Sequence, residues 1–174
     1  MCSLYIKKDN AMVKKFLLIF ALFIGVVVAM TMNSESDWLT GIGRRAPALD
    51  LRDSGRALNL DSLRGEYVIL NFWTSTDAAS RVAANEYDAW VEDHPRARVA
   101  FRSVNFDRSE GLYREIVRRD GLDAATQYHA DSAQAAVIRK NYALRDGYGT
   151  LLINPQGKII AHNPTPAQLQ KILG

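Results

Sequence analysis

Seven consecutive residues, Tyr67-Val-Ile-Leu-Asn-Phe-Trp73, form an apolar stretch broken only by Asn71. A strand with one wet face alternates apolar and polar residues; a continuous run suits a central strand buried on both faces. Such a strand needs layers above and below it, and the flanking sequence supplies them. From Ala46 onward short apolar runs alternate with helical patterns, which predicts an α/β fold. Ala48 to Leu51 and Ala57 to Leu60 flank Asp53-Ser-Gly55, a turn composition suited to a small hairpin. Ser62 to Gly65 closes that region with a helical turn or loop.

After the central run, Asp77 to Glu92 reads as a helix with Val82, Ala83, Ala89, Trp90 and Val91 on its buried side, ended by His94-Pro95. Val99 to Phe106 is the next strand. Glu110 to Arg119 is a helix with Leu112, Ile116 and Val117 inward, stopped by Gly121. Asp131-Ser132 caps a helix through Asn141 with Ala135, Ala136, Val137 and Ile138 inside. Thr150 to Asn154 and Lys158 to His162 are strands joined by Pro155-Gln-Gly157, and Thr165-Pro166 opens a last helix through Leu173.

The N-terminus reads differently. Lys14-Lys15 precedes Phe16 to Met30, a run without a charged or polar side chain. A basic flank before an apolar run is the pattern of a secretory signal or an uncleaved signal anchor, with the basic side cytoplasmic. The run falls between the two lengths: a signal core takes about 7–15 residues, a spanning helix about 20. Val27-Val28-Ala29 offers a cleavage site after Ala29, and Met12 is a second possible start. The expected organisation is a flank and signal or anchor helix over 1–32, a polar linker over 33–45, and a folded domain over 46–174. The expected location is the periplasmic or extracytoplasmic side, membrane-anchored or released.

Charge excludes one class of partner. The chain carries 22 basic and 19 acidic residues. Lys7, Lys8, Lys14 and Lys15 against Asp9 give the first 15 residues the whole excess, which leaves 18 of each sign beyond them. The domain has no net field to attract phosphates, so no nucleic-acid partner is expected. The one cysteine, Cys2, lies before the apolar run and outside any Cys-x-x-Cys pair.

Other chemistry finds little support in the residues. A Ser–His–Asp set could draw on Ser80, Asp77 and one of His94, His129 or His162, but no G-x-S-x-G motif exposes a serine. No His, Cys, Asp and Glu cluster has ligand spacing, so no metal and no cofactor is expected. Arg114, Arg118 and Arg119, balanced by Glu110, Glu115 and Asp120, read first as a solvated helix face.

The order of elements, with Ala46-Pro47 and Leu49, Leu60-x-x-Leu63-x-Gly65 and Tyr67 to Trp73, resembles the opening of membrane-tethered thioredoxin-like proteins of the TlpA/ResA type. Asn141-Tyr142-Ala-Leu and Thr150-Leu-Leu-Ile-Asn-Pro-Gln-Gly-Lys-Ile-Ile160 resemble the second half of the same family. The resemblance covers Ala46 to Gly174. It implies a central mixed sheet flanked by helices with an N-terminal hairpin extension, in an exported and often anchored protein. It also implies thiol-disulfide chemistry, which needs an attacking thiolate and a resolving sulfur. At the positions of those two cysteines this chain has Asp77 and Ser80, and Gly149 stands where the family has a cis-proline. Asn71 matches a position that TlpA-type proteins often fill with Asn.

These three departures predict a redox site that has been given up. Asp77 is expected to cap the following helix, with Thr76 or Ser75 as other caps; Ser80 is expected to satisfy local backbone or solvent. Trp73 and Tyr148 form either an exposed aromatic patch or, for Trp73, half-buried packing. The expected function is a non-catalytic binding or assembly module of the cell envelope. It would use a groove between the 74–80 and 148–150 loops, with Trp73, Thr74, Thr76, Tyr148 and Thr150 as candidate contacts. Its ligand would be an envelope protein or peptide, and the membrane would be met through the N-terminal segment. The alternative is a component of a thiol-disulfide system that works with a cysteine-bearing partner.

Overall fold

The computed structural model describes residues 14, 15, 17, 41–144 and 147–174. The apolar run at 16–30 apart from Leu17, the cleavage site and most of the 33–45 linker lie outside the described residues. Among the described residues no helix is long and apolar enough to cross a membrane. By contact pattern the chain divides into Met1–Leu39 and Thr40–Gly174, and the fold below belongs to the second unit.

Strands β1 (Asp50–Asp53) and β2 (Arg56–Asn59) form an antiparallel hairpin. Its two-residue turn, Ser54-Gly55, has φ of 47° and 85°, the left-handed pair that matches the twist of hairpin strands. A 3-10 turn over Leu60–Leu63 leads to β3 (Tyr67–Trp73), at the bounds expected from its apolar run. Then follow α1 (Ala78–Asp93), β4 (Val99–Asn105), α2 (Glu110–Asp120), β5 (Gln127–His129) and α3 (Ser132–Asn141). Strands β6 (Thr150–Ile153) and β7 (Ile159–His162) and helix α4 (Pro166–Leu173) complete the chain.

The five-stranded sheet has the order β5-β4-β3-β6-β7. β3 runs parallel to β4 and antiparallel to β6, so the sheet is mixed and β3 is its middle strand. Six of its seven residues are buried, as a strand covered on both faces requires. Its odd and even positions part to opposite sides. Val68, Leu70 and Phe72 join Leu51 and Leu58 of the hairpin and Ile138 of α3, while Ile69 joins Tyr87 and Trp90 of α1 and Leu169 of α4. Gly43 N–H donates to Ile159 O and Ile159 N–H to Arg44 O, so residues 43–45 bond along β7.

Several expectations need correction. β5 was not foreseen; it adds a third parallel strand at the sheet edge. The buried side of α1 is Ser80, Ala84, Tyr87 and Trp90, with Val82 exposed. On α2 the inward residues are Tyr113, Ile116 and Val117, with Leu112 exposed, and on α3 only Ile138 is fully inside while Val137 faces out. In each case the 3.6-residue period set by one large anchor overrides the apolar character of a neighbour.

Candidate functional site

The C-terminal end of β3 delivers the chain into Thr74–Asp77, and α1 begins at Ala78. A helix start leaves backbone N–H groups without intrahelical acceptors. Asp77 is the N-cap: its Oδ1 accepts from Ser80 N–H at 2.7 Å. Ser80 closes the same turn, since its Oγ donates to Asp77 O at 3.1 Å and accepts from Thr74 N–H at 3.4 Å. Neither Ser75 nor Thr76 caps the helix.

A second carboxylate holds the loop from the other side. Asp107, just beyond β4, is buried. It accepts from the hydroxyl of Thr74, from Ser75 N–H and Oγ, each at 3.0 Å, and from Asn105 Nδ2 at 3.0 Å. Its own N–H donates to Asn105 Oδ1 at 2.9 Å. The sequence reading passed over Asp107. The available signal was an Asn-Phe-Asp at the carboxyl end of a buried strand, where α/β sheets gather their sites.

The opposing loop ends in Gly149. A Cβ built there would lie 3.0 Å from Asn163 Oδ1 and 3.1 Å from His162 Nε2. Asn163 Oδ1 is itself occupied, accepting from Thr150 N–H at 2.7 Å. Thr150 Oγ1 donates to Asn71 Oδ1 at 2.8 Å, and Asn71 Nδ2 donates to Ser103 Oγ at 2.9 Å, so one polar ladder crosses three buried strands. Tyr148 stacks on Phe106 with centroids 5.7 Å apart and accepts from Arg139 Nη2 at 2.5 Å. The Arg139 guanidinium lies over both rings.

Between helix α1 and the 148–149 and 163–166 segments opens a cavity of about 300 Å³. Among the described residues α1 contributes Ala79, Ser80, Ala83, Glu86, Tyr87 and Trp90 to its walls; the far side is Tyr148, Gly149 and Asn163–Pro166, and Asn71 lies at its base. Tyr87 donates to Pro164 O at 3.0 Å, and burial raises its phenol pKa. Tyr148 therefore lines the groove. Trp73, Thr74, Thr76 and Thr150 do not. The exposed aromatic patch is corrected outright: Trp73 is fully buried among Ala84, Tyr113, Ile116 and Val117. Its parity with Ile69 along β3 points it beneath the helices.

Chemically the arrangement is quiet. The Ser80 hydroxyl donates to a carbonyl, so no base activates it. His94 Nδ1 pairs with Trp90 O and His129 Nε2 with Asp107 O, which places neither at Ser80. Among the described residues no group of three His, Cys, Asp or Glu could hold a metal ion.

No family model and no curated protein matches the sequence. Solved structures do. A thioredoxin-like protein from Parabacteroides distasonis is 34% identical, with a TM-score of 0.65 over 77% of this chain and 95% of that one. The chain belongs to the thioredoxin-like family. The thioredoxin domain of a thiol-disulfide oxidoreductase from Bacteroides vulgatus superposes with a TM-score of 0.68 at 20% identity, over 76% of this chain and 98% of that one. A thiol:disulfide interchange protein from a Bacteroides species matches at 20% identity and TM-score 0.68, over 76% and 90%. These two establish the fold alone. The resemblance read from the sequence holds for the fold, while the cavity lies between helix α1 and the 148–149 and 163–166 segments.

Proposed function

We propose that this thioredoxin-like domain is a binding or assembly module of the cell envelope without thiol redox chemistry of its own. One observation carries the reading: at the two positions that the resemblance assigns to cysteines, the side chains are spent on the start of α1. Asp77 Oδ1 holds Ser80 N–H, and Ser80 Oγ holds Asp77 O. Carboxylate and hydroxyl cannot exchange with a disulfide. The groove beside them stays open, at about 300 Å³ with Glu86 as its charged wall residue among those described. That suits an extended segment of an envelope protein or peptide. The basic flank and apolar run before residue 33 support export, with retention at the membrane if the run is not cleaved.

The purified protein is expected neither to reduce insulin disulfides with dithiothreitol nor to oxidise a dithiol substrate. Turnover above the reagent background overturns the reading.

A second reading has one observation in its favour, the likeness to thiol-disulfide oxidoreductases and interchange proteins. Here the chain positions substrate while a partner supplies the cysteines. A mixed-disulfide trap in cells would then return a cysteine-bearing protein whose activity falls when this chain is deleted. Crosslinking from membranes, compared between the native chain and Asp77→Arg, separates groove-dependent partners from bystanders.

A further inference from the structure

A second cavity, larger than the groove, lies elsewhere in the domain. It has a volume of about 620 Å³ and lies between the turn of the β1–β2 hairpin, helix α2 and the 122–125 segment; its walls share no residue with the groove. We propose that this cavity is a second site, for a small organic carboxylate with an apolar body.

Its inner wall is apolar. Tyr113, Val117 and Leu122 are buried and belong to one cluster with Trp73. Burial, then the nearby charge of Asp53, pushes the Tyr113 phenol up to about 12, so the wall presents a neutral hydroxyl. Apolar walls with a few convergent polar groups are what ligand cavities of this size have in common.

The walls carry three arginines, Arg56, Arg114 and Arg118, against one carboxylate, the buried Asp53 that Arg56 already pairs. Arg114 and Arg118 stand one turn apart on α2 and both line the cavity. Arg114 uses Nε and Nη2 on Glu110 and Ser54; Arg118 uses Nε and Nη2 on Glu115. Each keeps Nη1 outside any hydrogen bond among the described residues. Their acid partners are exposed, 46% and 55% of side-chain surface. Ion pairs in water contribute little, so a ligand carboxylate competes with a weak interaction. Two guanidinium forks at one rim match the planar geometry of a carboxylate.

The cavity is also held open before any ligand arrives. Arg56 ties the hairpin to the far wall, donating to Ala124 O at 2.7 Å, to Gln127 O at 2.6 Å and to Asp53 Oδ2 at 2.9 Å. Ser54 Oγ donates to Glu110 Oε1 at 3.1 Å and accepts from Arg114 Nη2 at 2.9 Å. Preformed walls spare a ligand the ordering cost of making them. Two buried side-chain polar atoms lack a partner among the described residues, Trp73 Nε1 and Gln127 Oε1. One belongs to the cluster behind the cavity, the other to the residue whose carbonyl anchors Arg56.

The test is a titration of the full chain in a nonionic micelle with 4-phenylbutyrate, with 4-phenylbutyramide as the neutral arm. Amide shifts and calorimetry give the readout. Saturable shifts are expected at Val117, Leu122 and Ala125, with the neutral arm weaker by about tenfold, the worth of one charge-assisted hydrogen bond. Arg114→Gln with Arg118→Gln, both exposed positions, should weaken the carboxylate by at least about tenfold and abolish its salt dependence. Ala125→Trp, which fills the cavity from an exposed backbone position, should remove saturation. Equal binding of both arms, unchanged binding in the double variant, shifts centred on Ala79 and Ala83, or no saturation with either arm overturns the proposal.

Discussion

Removing the Asp107 carboxylate tests the account of the loop most directly. Four donors converge on it, from Thr74, Ser75 twice and Asn105. They are not equal. Ser75 is half-buried, so water can replace the lost acceptor there. Thr74 and Asn105 are buried at 7% and 0% exposure. An unsatisfied buried donor costs about 1–3 kcal/mol. Thr74 Oγ1 can turn toward Thr76 Oγ1, 3.5 Å away, and belongs at the low end. Asn105 Nδ2 has no such refuge. Removing a buried carboxylate returns part of its own desolvation cost, so Asp107→Ala should lose about 2–3 kcal/mol in total.

Urea unfolding of the full chain at unchanged m-value measures this. Thr74→Val alone should cost about 1 kcal/mol, and the double variant should fall short of additivity by a similar amount, because the two share one bond. Amide exchange at Ser75 should rise in Asp107→Ala and stay unchanged at Leu152 in the sheet. A loss under about 0.5 kcal/mol, or strict additivity, would mean that the network does not bear on stability and that the loop is held by the cap alone.

Three further outcomes are expected. Asp77→Ala should cost about 1 kcal/mol and Asp77→Asn a few tenths, both read by urea unfolding, because the N-cap needs an oxygen acceptor rather than a charge. Arg81 pairs bidentately with Asp120 at 2.5 and 2.6 Å, and that bond holds the Asp120 carboxyl below its ordinary value of 3.8. Arg81→Met should therefore cost about 1–2 kcal/mol at neutral pH. The difference between parent and variant is complete above the unfolded-state value and should shrink as pH falls toward and through the lower folded-state one; a difference that does not shrink on acidification below 3.8 would contradict it. His162 is pushed below its ordinary 6.5 by the packing around it. Its unfolded state binds protons first on acidification, so it should cost stability as pH drops below the ordinary value. An NMR titration of its ring that gave a midpoint at or above 6.5 would refute that assignment.

How far the sequence carried can be followed residue by residue. β3 was legible at both ends because its apolar run is broken only by Asn71 and a polar loop follows it. The turns at Ser54-Gly55 and Pro155–Gly157 were legible because few residues tolerate those backbone shapes. β5 was not, since three residues of Gln-Tyr-His carry no periodicity. It is fixed by long-range bonds such as Arg56 to Gln127 O and Ser103 N–H to Thr126 O. Val82, Leu112 and Val137 were assigned inward on apolarity, though each lies off the face set by Tyr87, Tyr113 or Ile138. Trp73 could have been placed by parity with Ile69 alone. Asp107 left only the Asn-Phe-Asp signal at the end of a buried strand, and the arginine-rimmed cavity left none, because it depends on segments brought together from distant parts of the chain.

Gly149 constrains mutation at this site. A chain given thiols at 77 and 80 would still meet crowding across the groove, because a Cβ at 149 would lie 3.0–3.2 Å from the ends of the Asn163 and His162 side chains. Asn163 cannot be trimmed to make room without stranding the Thr150 N–H that it accepts. Room for a side chain at 149 therefore has to come from small shifts of the exposed Asn163 and His162 side chains rather than from deleting Asn163. Engineering this scaffold for thiol chemistry thus involves the loop at 149 as well as positions 77 and 80.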